Sequence, residues 1–153
     1  MEKLTNEKFI RLEGKKPITK FTEPLSYKQA MEYDDLGLIV SSPYVVLDVD
    51  NELEFELLVR IIKTLNVKSR IMKTTRGGHL WFTSPKALKN NVGINTAISI
   101  DVDIRSHGKH SQCQVKRDGE WREWLVWNDD IDVLPHWLKP INHNERFFNM
   151  SNG

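Results

Sequence analysis

Tyr44-Val45-Val46-Leu47-Asp48-Val49-Asp50, followed at helical spacing by Phe55, Leu58, Ile61, Ile62 and Leu65, is the stretch on which the fold turns. Residues 44–50 read as a buried strand because their central positions are aliphatic or β-branched. Glu52 to Leu65 then reads as an amphipathic helix, so the acidic end of the strand opens into a helix. A second run, Ile98-Ser99-Ile100-Asp101-Val102-Asp103-Ile104-Arg105, has the same character as the first. Side chains two apart on a strand share a face, which pairs Asp48 with Asp50 and Asp101 with Asp103, roughly 7 Å apart along each strand. Carboxylates on an otherwise apolar sheet are expensive to keep ionised unless a cation or a partner neutralises them. A divalent metal site is therefore expected, and hard oxygen ligands favour Mg²⁺ or Mn²⁺.

Working outward, Ser26 and Gln29 form a capping-box pattern that opens a helix running to about Tyr33, which Asp34-Asp35-Leu36-Gly37 breaks. Leu38-Ile39-Val40 reads as a short strand and Ser41-Ser42-Pro43 as a turn. Ser69 to Thr75 alternates like a strand, Arg76-Gly77-Gly78 turns, and His79-Leu80-Trp81-Phe82 extends again, a hairpin with the histidine just past its bend. Lys86 to Asn95 reads as a loop or short helix. Gln112 to Lys116 and Trp121 to Trp127 flank Asp118-Gly119, a strong hairpin signal, and Pro135 opens a short terminal helix with Trp137 and Leu138. The expected fold is α+β, a mainly antiparallel central sheet with flanking helices, in one domain over residues 1–153.

Composition narrows the classes. No run approaches the ~18 apolar residues of a membrane span, and Met1-Glu2-Lys3-Leu4-Thr5-Asn6 lacks the apolar core of a signal peptide, so a cytoplasmic location without membrane contact is expected. Cys113 is the sole cysteine, which excludes an internal disulfide or a multi-cysteine zinc site and leaves an interior thiol. The net charge of +1 excludes a polycation that grips nucleic acid by bulk electrostatics. Basic density is local: Lys68, Arg70, Lys73 and Arg76 precede the Gly-Gly-His step, and Arg105, His107, Lys109 and His110 follow the second acidic run. Beside an acidic centre such groups suit phosphate contact, while solvated surface charge explains any one of them as well. The three tryptophans Trp121, Trp124 and Trp127 read as core and hairpin packing rather than base-stacking platforms.

A single Asp-x-Asp is weak evidence, since Asp50 is placed to cap the following helix and Asp101 to sit at a sheet edge. Two such pairs within aliphatic strands are harder to explain by capping. Glycines at 77 and 78 permit close backbone approach to a ligand such as a triphosphate, which favours a ligand-facing role for His79 over a polar corner of the core. Arg105 extends the acidic face of its strand, where it either binds phosphate or neutralises Asp103.

Leu47-Asp48-Val49-Asp50, Gly77-Gly78-His79-Leu80-Trp81-Phe82 and Val102-Asp103-Ile104-Arg105 resemble, in order, the three motifs of the archaeo-eukaryotic primase superfamily, in particular the primase-polymerase domains of phage and plasmid replication proteins. Lys16-Pro17 and Leu134-Pro135-His136-Trp137-Leu138 resemble the flanking features of that branch, so the resemblance spans roughly residues 15 to 138. It implies a primase catalytic core of the RRM-like type and template-directed nucleotidyl transfer. Asp48, Asp50 and Asp103 would be the catalytic metal ligands and His79 would contact the phosphates of the incoming nucleotide. Gly78, Arg76, Arg105 and Lys73 complete the expected nucleotide-binding set; Asp101 lies outside the carried-over residues, although its face on the strand suggests a supporting role. Two metals about 4 Å apart would activate the attacking 3′-hydroxyl and stabilise the leaving pyrophosphate. The implied partners are a single-stranded DNA template, nucleoside triphosphates and a replicative helicase or other replication protein.

After the third motif the chain departs from that branch: Ser106-His107-Gly108-Lys109-His110-Ser111-Gln112 replaces the usual glycine-and-aromatic strand and Pro-Pro-Ser step. Two other readings use the same residues. A catalytically silent primase-like module would hold nucleic acid or a replication partner without its aspartates, and a metal-dependent nuclease would cleave DNA without nucleotide. The Gly-Gly-His strand suits triphosphate contact better than water activation.

Overall fold

The computed structural model describes residues 2–89, 91–108 and 110–139. The strands of the first half are β1 (Lys8–Glu13), β2 (Lys16–Pro17), β3 (Leu25–Ser26), β4 (Leu36–Ile39) and β5 (Tyr44–Val49), with helix α1 (Tyr27–Ala30) after β3 and helix α2 (Glu52–Thr64) after β5. The second half adds β6 (Arg70–Lys73), β7 (Gly78–Thr83), β8 (Asn91–Asn95), β9 (Asp101–Ser106), β10 (Gln112–Arg117), β11 (Glu120–Trp121) and β12 (Trp124–Val126). They form two six-stranded sheets whose ladders are antiparallel. The central sheet has the order β12-β6-β7-β5-β9-β8, and the flanking sheet β11-β10-β4-β1-β2 with β3 on the edge of β1.

The aliphatic density of β5 follows from its place in the middle of three layers. On one face Val45, Leu47 and Val49 join Ile71, Leu80, Phe82, Val102 and Ile104 against Phe55, Leu58 and Ile62 of α2 and against Leu134 and Leu138. On the other face Val46, with Met72 and Trp81, packs against Phe9, Leu36, Leu38, Val40, Cys113 and Val115 of the flanking sheet. A strand covered on both faces shows no polar-apolar alternation, and the only break in the burial of Val45–Val49 is Asp48. Each fully buried side chain of this kind contributes roughly 1.5–3 kcal/mol by removal from water.

α2 begins where Asn51, not Asp50, accepts a hydrogen bond from the Glu54 amide at 3.0 Å, so the cap leaves the Asp50 carboxylate free for other work. The capping box at Ser26 and Gln29 is formed in both directions, although α1 stops at Ala30 rather than Tyr33. The β10–β11 hairpin turns through Asp118 and Gly119, both at positive φ (50° and 81°), the pattern of a primed two-residue turn.

The α+β expectation holds, with corrections to individual elements. The face of the central sheet opposite α2 is covered by a second sheet, not by a helix, because β1, which has little local signature, pairs with β4 and carries Phe9 inward. Asn91–Asn95 is a strand on the edge of β9 rather than a loop or short helix, held by the ladder and not by propensity. Trp121–Trp127 is also not one strand. The chain leaves the flanking sheet after β11 and joins the central sheet as β12, paired with β6. The segment after Pro135 is a 3-10 turn, His136–Leu138, that seats Leu138 in the core. Among the described residues no helix is long and apolar enough to cross a membrane.

Candidate active site

β-Sheet register builds the site. Met72 lies opposite His79, His79 opposite Asp48, and Asp48 opposite Asp103, so one row of side chains crosses β6, β7, β5 and β9 on the face turned toward the flanking sheet. Directly opposed positions hold their Cβ atoms about 4.5–5.5 Å apart. Two carboxylates facing each other in this way repel, and their cross-strand position calls for compensating positive charge. The next row carries Arg105 opposite Val46, two residues along from Asp103 on the same face.

Within this row His79 is buried, its side chain 4% exposed, with Nε2 3.7 Å from Asp48 Oδ1. That separation is too long for a hydrogen bond. Its other ring nitrogen, Nδ1, is buried with no hydrogen-bond partner among the described residues. Burial acts most strongly on Asp48 and pushes its pKa up, but His79, Arg105 and Arg122 together outweigh that effect and hold the carboxyl below its ordinary value. Asp48 is therefore an anion in the folded protein around neutral pH.

Asp50 stands at the mouth, where Arg76 Nη2 meets Asp50 Oδ2 at 2.9 Å. The turn bearing Arg76 is closed by the Thr74 amide donating to the Gly77 carbonyl at 3.0 Å. A Cβ on Gly77 would run into the Val49 carbonyl, and one on Gly78 into the ring of Phe55. Both glycines thus serve close packing of the hairpin onto β5 and α2, which corrects the expectation that they make room for a ligand.

The opposite wall comes from the flanking sheet and its loops: Lys15 in the β1–β2 turn, Gln112, Cys113, Gln114 and Arg117 on β10, and Arg122 just after β11. Between the walls lies a cavity of about 460 Å³ that is also lined by Asp48, Asp50, Thr74, Thr75, Arg76, His79, Asp103 and Arg105. Lys15, Arg76, Arg105, Arg117 and Arg122 set five cations against the three carboxylates, a balance that attracts a polyanion. Burial lowers the pKa of Arg122, the largest influence on it, and Asp48 acts in the opposite direction. Burial also pushes the Cys113 thiol well up, so it stays protonated as an inert part of the cavity wall.

Of the residues expected from sequence, Asp48, Asp50, Asp103, His79, Arg76 and Arg105 meet at this cavity. Lys73 does not. It sits opposite Gly78, in the row facing α2, with Nζ 3.7 Å from Glu52 and 5.5 Å from the centre of the Phe55 ring. Asp101 is exposed at the start of β9 opposite Asn95 and is not part of the lining. Arg70 stacks on Tyr44 and Trp127, His107 donates from Nε2 to the Ser84 carbonyl at 2.9 Å, and His110 stacks on Phe21. The Lys68 amide is bound by Asp132, and Lys109 lies outside the described residues.

Residues 11–137 match the model of the family described as Prim-Pol, bifunctional DNA primase/polymerase, N-terminal. The chain belongs to the Prim-Pol family. No curated protein and no solved structure matches it. The matched span includes every residue of the cavity, from Lys15 to Arg122, so both walls lie within the Prim-Pol region. The family's activity is of the primase/polymerase type, with DNA and nucleotides as the substrate classes. Arg122, Arg117 and Lys15 are the cations of the Prim-Pol cavity that were not among the expected site residues. Arg122 follows a two-residue strand and carries no motif; the one local signal was its place just past a recognisable hairpin.

Proposed function

We propose that this Prim-Pol chain is a DNA-dependent nucleotidyltransferase, with a primase catalytic core of the RRM-like type in one domain, that makes or extends primers on a single-stranded template. The observation that carries the proposal is the direct opposition of Asp48 and Asp103 across β5 and β9, with His79 beside Asp48. Like charges facing each other on a sheet are destabilising unless a cation lies between or beside them. Oxygen donors of this kind fit Mg²⁺ or Mn²⁺ rather than a soft metal.

Asp48 and Asp103 would hold the cation, with Asp50 as the third carboxylate. Among the described residues no three acidic, histidine or cysteine side chains form a closed ligand group, in keeping with the engagement of Asp50 by Arg76. Asp50 would therefore exchange Arg76 for the cation when nucleotide enters, and Arg76 would be released toward phosphate. When bound, the metal supplies activation of the attacking 3′-hydroxyl and charge stabilisation of the leaving pyrophosphate. The chain itself supplies orientation. His79 flanks Asp48 on the neighbouring strand and helps keep it ionised, while Arg105 faces the cavity two residues beyond Asp103 and is placed for phosphate oxygens.

Primer synthesis and extension on single-stranded DNA, with Mg²⁺ or Mn²⁺ and nucleoside triphosphates, test this directly. Wild type should form product and the Asp48→Ala/Asp50→Ala double variant should not. Equal silence of the two would leave a binding module, and cleavage of unprimed DNA without nucleotide would identify a nuclease.

A further inference from the structure

The cavity's charges are segregated. The carboxylates all stand on the central-sheet wall, while the flanking-sheet wall contributes Lys15, Arg117 and Arg122 and no acidic residue. Arg122 is the telling member. It is partly buried, its Nη1 donates to the Gln114 carbonyl at 3.2 Å, and among the described residues no carboxylate lies within 4.0 Å of its guanidinium. A guanidinium has five N–H donors and stays charged at any ordinary pH. A partly desolvated cation that is anchored by one backbone acceptor and feels Asp48 only from beyond ion-pair distance keeps donors for an anionic ligand.

We propose that Arg122, flanked by Arg117 and Lys15, is the polyphosphate-binding wall of the site. The nucleotide then spans the cleft, with its phosphate chain against the flanking sheet and its reacting phosphorus toward Asp48 and Asp103. The inference rests on the nucleotidyltransferase reading and deepens it by assigning the substrate's phosphates to residues outside the three motifs. The guanidinium fork of Arg122 matches phosphate oxygens in bidentate fashion. Its contact with the Gln114 carbonyl anchors the side chain, which lines the cavity. Arg117, whose side chain is 45% exposed and 3.9 Å from Asp118, and Lys15 supply longer-range attraction at the entrance.

The test is nucleotide binding by calorimetry, without primer synthesis, using a deoxynucleoside triphosphate, the matching monophosphate and a single-stranded oligonucleotide as separate probes in Mg²⁺ buffer. Wild type should prefer triphosphate over monophosphate. Arg122→Gln should lower triphosphate affinity about tenfold, the loss of one charge-assisted contact, and change monophosphate and oligonucleotide affinity by less than about twofold. Arg122→Lys should recover part of the loss, since charge survives without the fork. Arg117→Gln/Lys15→Gln, at the entrance, should reduce triphosphate affinity about threefold and guards against a folding defect at the more buried position. The assignment is overturned if triphosphate and monophosphate weaken equally, if neither weakens in any variant, or if oligonucleotide binding alone is lost, which would make this a template contact. A wild type that prefers triphosphate through Arg122 yet makes no primer keeps the wall and removes the polymerase reading. Product formation with an unchanged triphosphate preference in all variants does the reverse.

Discussion

The two walls of the cavity are built by different means. On the central sheet, Asp48, His79 and Asp103 are placed by uninterrupted ladders, so adjacent backbone hydrogen bonds set the position of each. On the flanking sheet the cations come from a turn, from the end of β10 and from the residue after a two-residue strand, and a bulge shifts the register of β10 between Gln114 and Lys116. The first wall is rigid and suited to holding reacting groups within tight tolerance. The second has long side chains with reach and adjusts to a polyanion. Chemistry is thus expected to fail sharply when the ladder wall is altered, and binding to fade gradually when the loop wall is altered.

The sharpest way to break that contrast is to remove the opposed carboxylates. Asp48→Asn and Asp103→Asn, each alone, should lower primer extension by about a thousandfold, roughly 4 kcal/mol of transition-state stabilisation. Lys15→Gln on the other wall should raise the nucleotide concentration needed by less than about twofold. Comparable losses in steady-state rate from both would erase the distinction. Next in size is the hairpin that carries His79. Gly77→Ala forces a methyl against the Val49 carbonyl and should cost about 3 kcal/mol of stability in urea unfolding, because backbone rather than a movable side chain is in the way.

Cys113 sharpens the comparison from the inside. It is 3% exposed and its thiol is held protonated by burial, so native protein should react with iodoacetamide about a hundredfold more slowly than urea-unfolded protein. Equal rates would mean that the walls part readily. The smallest effect concerns pH. The folded pKa of Asp48 lies below its unfolded value, so folding gains from this group above the unfolded value and loses that gain as pH falls through the folded one. Asp48→Asn should therefore flatten the acid limb of the stability profile from the ordinary aspartate pKa of about 3.9 downward, read as urea midpoints. An unchanged limb would place the compensating charges elsewhere.

Much of the central wall could be read in advance. The aliphatic run ending at Asp48 and Asp50, the Gly-Gly-His bend and the Asp103 strand each carry a local pattern, and alternation alone assigns Asp48 and Asp103 to defined faces. Lys73 was misplaced because basic density near a motif says nothing about side; register puts it opposite Gly78, facing α2. Asp101 looked like a partner of Asp103 for the same period-two reason, yet it lies at the exposed start of its strand. The glycines were read as space for a ligand, and only packing shows that the space is filled by Val49 and Phe55. Arg122 had no pattern to announce it.

Local chemistry in the chain determined the strands and the long helix of the centre, the capped starts of the helices, the Asp118-Gly119 turn and the acidic groups with their histidine, because each depends on neighbours within a few residues. Tertiary structure decided that β1 builds a second sheet over the central one and that Asp48 faces Asp103. It also decided that cations from residues 15, 117 and 122 close the cavity opposite them. Those relations join residues many positions apart, and they are set by ladder register and shared burial, which no local run of sequence encodes.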